Sequence, residues 1–125
     1  MIQKGTYLNI SDNSGAKKVC CLHIYKNKKN FAKLGDLILV SVKSLRSKKR
    51  LKSKVKKGEL YKALIIRTKN FQNKQNTFSM SFTENSVILL DKKYKLMGTR
   101  IIGPISKEFK KTKYARIISI SYALI

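Results

Sequence analysis

"KKVCCLHIY", Lys17 to Tyr25, alternates in steps of two. Val19, Cys21, His23 and Tyr25 fall on one side of an extended chain, and Cys20, Leu22 and Ile24 on the other. Both sides carry apolar groups, so the stretch is expected to be a strand at least half buried on each face. The two adjacent cysteines then point to opposite faces. A disulfide between sequence neighbours would be strained and would close no useful loop, and two-point metal ligation by the pair is disfavoured by the same geometry. Both cysteines are read as reduced packing residues.

Period two persists downstream. "LILVSVK", Leu37 to Lys43, is rich in β-branched residues and follows Gly35-Asp36, whose types favour a turn. "LYKALIIRT", Leu60 to Thr68, repeats the mixture. "TFSMSF", Thr77 to Phe82, sets Phe78, Met80 and Phe82 against Ser79 and Ser81, and "SVILL" follows after Glu84-Asn85, so a hairpin joining these two is expected. Asn13-Ser14-Gly15 reads as a plain connection before a strand, because a phosphate cradle needs more glycines and a following helix. After Asp91 the texture changes. Pro104, with Gly103 before it, suits the first position of a helix, and Ile105 and Phe109 stand four apart on one face. "YARIISISYALI", Tyr114 to Ile125, fits a last strand or a helical turn packed over the rest, and its period does not choose. Short strands separated by turns roughly every 8 to 12 residues point to a mainly β fold, a small antiparallel barrel, which has the merit of removing exposed sheet edges.

At 125 residues the chain is most economically one domain, 1–125, and its 42% of apolar types argues against wholesale disorder. The charge is the anomaly. Twenty-nine Lys and Arg stand against six acids, a formal +23, and self-repulsion on that scale opposes compaction unless an anionic surface screens it. Nucleic acid is the leading polyanion and a membrane surface the second, but no apolar run approaches the roughly 20 residues a span requires. No membrane partner is expected. Met1-Ile2-Gln3 runs almost directly into the strand-like "TYLNI" without a leader, which suggests a bacterial cytoplasm or a compartment that makes the protein itself. Heavy use of Lys, Asn and Ile suits an AT-rich genome, as in many small organelle genomes.

The densest basic tract is "KSLRSKKRLKSKVKKGE", Lys43 to Glu59, with nine basic side chains and no acid before its last residue. It connects two predicted strands, so residues 43–59 are expected to form an extended loop or hairpin arm. Together with the other strand-end clusters it supplies the candidate phosphate-binding side chains: Lys17, Lys18, Lys28, Lys29, Lys43, Lys48, Lys49, Arg50, Lys52, Lys54, Lys56, Lys57, Arg67, Lys69 and Lys74. Lys outnumbers Arg, and an ammonium lacks the planar fork that reads base edges, so phosphate contact should outweigh sequence readout. Tyr25, Phe31, Phe71 and Tyr94 lie in or near basic stretches and could stack on bases. Most aromatics are nonetheless expected to serve packing, since no strand motif pairs two of them.

Catalysis finds little support. His23 is the single histidine, no nucleophile and base can be grouped, and Asp36, Glu59, Glu84 and Asp91 all fall at predicted turns or loops. No cofactor or metal is expected. An RNA-processing enzyme would need a reactive cluster that these residues do not make, and a free DNA-packaging or single-strand-binding protein is the remaining alternative.

Taken in order, the stretches resemble large-subunit ribosomal protein L-fourteen, a family match that spans essentially the whole chain: "MIQKGTYLNISDNSGAKK" from Met1, "LGD" at Leu34, "VKKGE" at Val55, "ALII" at Ala63, "FTENSVIL" at Phe82, "GTRIIGPI" at Gly98 and "RIIS" at Arg116. The resemblance implies a five-stranded OB-like barrel with a C-terminal helical region, 98–125. It also implies a non-enzymatic role on the subunit-facing side of the large ribosomal subunit. The partners it implies are large-subunit rRNA, small-subunit rRNA across the interface, ribosomal proteins L-three and L-nineteen, and the ribosomal silencing factor. Docking of that factor, or of a neighbouring protein, would fall on Thr99, Arg100 and Arg116, the last being Lys in many relatives. A mitochondrial matrix location, in the organelle's ribosome, is expected ahead of a plastid or an AT-rich bacterium. Three departures mark this chain. Thr77 stands where the family usually has Gly after Asn76, the connection before "VKKG" is longer and richer in lysine, and Tyr122-Ala123 replaces a usual Pro-Glu pair.

Overall fold

The computed structural model describes residues 2–25, 30–46, 54–70, 72–73 and 79–125. In chain order the strands are β1 (Tyr7–Ile10), β2 (Ala16–Ile24), β3 (Leu37–Leu45), β4 (Leu60–Arg67), β5 (Gln72–Asn73), β6 (Ser79–Met80), β7 (Ser86–Leu90), β8 (Ile101–Ile105) and β9 (Ser121–Leu124). A 3-10 helix, Lys107–Lys111, and a one-turn helix, α1 (Arg116–Ser119), lie between the last two.

Five strands close a barrel in the order β1-β2-β3-β4-β7. Four of the pairings are antiparallel, but the one that closes the ring is parallel, with Asn9 opposite Ser86 and Ile10 opposite Val87. The expected five-stranded barrel is therefore present, with one pairing of the other sense.

The barrel interior holds Leu8, Ile10, Val19, Cys21, Ile38, Val40, Val42, Ala63, Ile65, Val87 and Leu89. Along β2 the simple alternation fails beyond Cys21. Cys21 pairs with Val40 and His23 with the next residue, Leu39, so β2 carries one extra residue there. This bulge turns Leu22 and His23 outward together and returns Ile24 to the interior, which is why only one side of the strand's far end is buried. Cys21 sits inside the barrel and Cys20 on the outer surface; both are buried free thiols.

The runs "ALII" and "SVILL" are apolar on consecutive residues because β4 and β7 are covered on both faces. Leu64, Ile66, Ile88 and Leu90 point out of the barrel and form a second core with Ile101, Ile105, Phe109 and Ile117 of the C-terminal segment. Full burial of each such side chain contributes roughly 1.5–3 kcal/mol, enough in sum to fix this segment against the barrel wall.

Two expectations are corrected here. Pro104 does not start a helix. It lies in β8, which pairs in parallel with β9, and the helical turn begins after Ser106, whose side chain accepts from the Glu108 N–H at 3.3 Å. The missing N–H is tolerated because β8 belongs to a two-stranded sheet, and Gly103 at φ +90° bends the strand just before the proline. The expected short C-terminal helical region is present as the 3-10 helix and α1, together with strands β8 and β9, and "YARIISISYALI" holds both α1 and β9. Second, Ser79–Met80 pairs with Gln72–Asn73, not with "SVILL", which pairs with β4 and β1. Asn76 and Thr77, where the departure from the usual turn occurs, lie outside the described residues, as does Phe78.

Candidate nucleic-acid interface

The start of β2 and the end of β3 meet at one end of the barrel. Ala16 pairs with Leu45 and Lys18 with Ser44, which brings Lys17 and Lys18 next to Lys43, all three exposed. The chain returns to the same place after the long connection: the Gly58 N–H donates to the Val42 carbonyl at 2.8 Å and the Val42 N–H to the Glu59 carbonyl at 3.1 Å. Exposed Lys54, Lys56 and Lys57 thereby join the group. Six of the predicted phosphate-binding side chains thus gather at one barrel end.

Two anchors hold the base of this connection, and sequence reasoning assigned neither. Val55, an aliphatic residue inside the basic tract, is fully buried in the barrel core. Arg46 donates its backbone N–H to the Gly15 carbonyl at 2.9 Å and its guanidinium to the Ile10 carbonyl at 3.3 Å, tying the tract to the β1–β2 turn. The signal for Val55 was available, since an isolated valine among lysines has no reason to face water. Glu59, the first acid after the tract, accepts a short hydrogen bond from the Tyr61 hydroxyl. Burial, followed by that hydrogen bond and the nearby charge, pushes the Tyr61 phenol up to about 12.

Lys69 is exposed at the opposite end of β4, where its N–H donates to the Asn85 side chain at 2.9 Å. Lys28, Lys29, Lys48, Lys49, Arg50, Lys52 and Lys74 lie outside the described residues, as does Phe71. Tyr25 and Phe31 are exposed, at 43% and 38%.

Arg67 departs from expectation. It is 7% exposed, and its guanidinium faces inward between the barrel and β8 instead of outward toward phosphate. Nη2 donates a short bond to Ser11 Oγ and another to the Ile102 carbonyl at 2.8 Å, and it stands 3.5 Å from Glu84 Oε1. Burial pulls the guanidinium below its ordinary pKa, and Glu84 opposes that shift. For Glu84 itself, burial alone would raise the carboxyl. Hydrogen bonds from Ser86 and Asn9, both at 2.9 Å, together with the Arg67 charge, overcome that and hold it below its ordinary value. Arg67 is thus a strut and is removed from the surface set.

Thr99, Arg100 and Arg116 come together although Arg116 is distant in sequence. Thr99 and Arg116 line one groove of about 600 Å³ with Tyr94, Lys95, Lys113 and Tyr114, and Thr99 and Arg100 line the adjoining hollow with Tyr122. Asn13 fixes this region from the β1–β2 turn. Its Oδ1 accepts from the N–H of Thr99 at 2.8 Å and of Arg100 at 3.3 Å, while its Nδ2 donates to Thr99 Oγ1 at 2.8 Å. Gly98 is needed for the approach, since a Cβ there would lie 2.8 Å from Asn13 Oδ1 and from Asp12 Cβ. Among the described residues no three His, Cys, Asp or Glu side chains gather as a metal site.

Lys17, Lys18, Lys56 and Lys57 of the cationic barrel end, the β8 backbone that Arg67 braces and the pinned Thr99-Arg100 corner lie on stretches of chain that carry the family resemblance. A family model described as Ribosomal protein L14p/L23e matches residues 1–125. The chain belongs to that family. As an L14p/L23e protein it is a structural constituent of the large ribosomal subunit, associated with rRNA there. The family's role is structural rather than enzymatic.

Proposed function

We propose that the chain acts as one ribosomal-protein domain over 1–125, with the cationic end of the barrel and the 43–59 connection neutralising large-subunit rRNA phosphates. The observation that carries this reading is the convergence of Lys17, Lys18, Lys43, Lys54, Lys56 and Lys57 at one end of a rigid barrel. A barrel holds those charges at fixed separations, so counterions released from phosphate on binding supply affinity without a matching loss of chain entropy. The Thr99, Arg100 and Arg116 corner is the surface for the silencing factor or a neighbouring protein. The wider reading includes a place on the intersubunit face with bridges to small-subunit rRNA, ribosomal proteins L-three and L-nineteen as neighbours, and a mitochondrial ribosome as the setting, which the Lys, Asn and Ile usage supports.

The test is the salt dependence of binding to large-subunit rRNA. Affinity should fall steeply with salt, and replacing Lys48, Lys49, Arg50, Lys52 and Lys54 with Ser should flatten the slope by about 0.7–0.9 for each phosphate no longer neutralised. An unaltered slope would remove the role from this tract. Density for the native ribosome, at stoichiometric occupancy of this chain, decides the neighbours and the compartment.

A further inference from the structure

Tyr94 is the one non-glycine residue with positive φ, +61°, among the described residues. It sits in the tight turn after β7, where the Tyr94 N–H donates to the Asp91 carbonyl at 2.8 Å and the Asp91 N–H to the Lys95 carbonyl at 2.7 Å. Gly or Asn would adopt this conformation more cheaply, so a bulky aromatic here works against local folding. Core packing does not compensate, because Tyr94 is 51% exposed. Backbone strain kept at an exposed ring is an outlier that asks for a functional account.

The surroundings supply one. Lys62 Nζ lies 3.7 Å from the centroid of the ring, a cation–π arrangement that holds it in place, and the same lysine reaches the Lys92 carbonyl at 3.5 Å. Tyr94 also lines the groove shared with Lys95, Lys113 and Arg116, a groove to which no carboxylate contributes among the described residues. Tyr114 forms part of the same wall, with Lys113 Nζ 5.2 Å from its centroid. A fixed aromatic surface beside three cations matches a ligand that is planar and anionic at once.

We propose that Tyr94 is a stacking platform for one unpaired base of an RNA strand, with Lys95 and Lys113 taking the flanking phosphates and Arg116, which also lines the groove, left to the protein-facing corner. The proposal rests on the RNA-binding reading above and deepens it, adding a base-binding position to an interface otherwise made with phosphates. A polyglutamate chain would satisfy the cations but has no aromatic face to lay on the ring.

The probe is a single-stranded RNA oligonucleotide containing 4-thiouridine, photo-crosslinked to the full chain, with adducts mapped by mass spectrometry and affinity measured alongside. An adduct is expected at Tyr94. Tyr94→Gly suits the positive φ and keeps the turn, so it should fold as well as the wild type yet fail to form the adduct. It should bind roughly ten-fold more weakly with an unchanged salt slope, because no charge is removed. Tyr94→Phe should retain the affinity, and Lys95→Ser with Lys113→Ser should flatten the slope. The stacking role is overturned if wild-type adducts avoid Tyr94, if Tyr94→Gly binds as the wild type does, or if polyglutamate displaces RNA equally well from both. In those cases steep salt dependence persists and the RNA-binding reading stands. Salt-insensitive, weak binding by the wild type would defeat that reading itself.

Discussion

The guanidinium of Arg67 occupies the space in which a side chain at position 103 would begin: a Cβ placed on Gly103 would lie 2.0 Å from Arg67 Nη1. Gly103 also has φ +90°, so two independent constraints demand glycine at this point. The bend it permits lets the Ile102 carbonyl meet Arg67 Nη2 while Ile101 and Ile105 enter the outer core. The second glycine of "GTRIIGPI" thus joins β8 to the barrel through an arginine strut.

Gly103→Ala should therefore cost about 2–4 kcal/mol, combining a disfavoured backbone with a displaced guanidinium. Gly58→Ala is the control, since Gly58 shares the positive φ, +85°, but among the described residues has nothing within 4 Å of a new Cβ. Urea unfolding of both variants checks this. Equal destabilisation would mean that the approach to Arg67 is irrelevant.

The Arg67–Glu84 pair makes stability depend on acid. Glu84 is held below its ordinary value, so the folded protein takes up that proton less readily than the unfolded chain does. The stabilisation is present in full above the unfolded carboxylate pKa of about 4.3, and it is lost as pH falls through the lower folded value. The stability gap between wild type and Glu84→Gln should be constant near neutrality and close below about pH 4. Denaturant midpoints across that range measure it, and a gap indifferent to pH would show that the carboxylate's charge plays no part.

Much of this fold was legible in the sequence. Alternation located β2 and β3 because each has an interior face that water cannot reach, whereas β4 and β7 showed as short continuous apolar runs because both of their faces are covered. What alternation could not show was the bulge at Leu22-His23, which depends on the register against β3, or which partner the short Ser79–Met80 strand would choose. Pro104 misled for a physical reason: its fixed φ suits a helix start and an extended strand alike, and the bend at Gly103 with packing against β9 decided between them. The cationic surface was readable from composition. Arg67 was not, because burial of a charge depends on partners, Ser11, Glu84 and Ile102, that come from three distant stretches.

Asp12 offers a sharper test of the barrel's closing corner. One carboxylate oxygen accepts from the Ser14 N–H at 3.0 Å and from the Ser14 hydroxyl, and the other accepts from the Leu89 N–H at 2.9 Å. The residue is 2% exposed, so water cannot replace these bonds. Asp12→Asn keeps the shape but presents a donor where an acceptor is required, and should cost about 1–3 kcal/mol in thermal or urea unfolding. A neutral substitution would show that Leu89 finds another acceptor.

Asn13 should act on the Thr99-Arg100 corner while sparing the barrel. Its side chain makes three bonds to that corner and is itself only partly buried, so Asn13→Ala removes an orienting clamp with little disturbance of the core. The amides of Thr99 and Arg100 should then exchange with solvent about ten-fold faster or more, since each of these bonds is worth about 1 kcal/mol. Amides of β3 and β4, bonded on both sides within the barrel, should keep their protection. Uniform acceleration across the chain would mean that Asn13 supports global stability instead. Unchanged rates at Thr99 and Arg100 would mean that Gly98 and the outer core alone hold the corner in place.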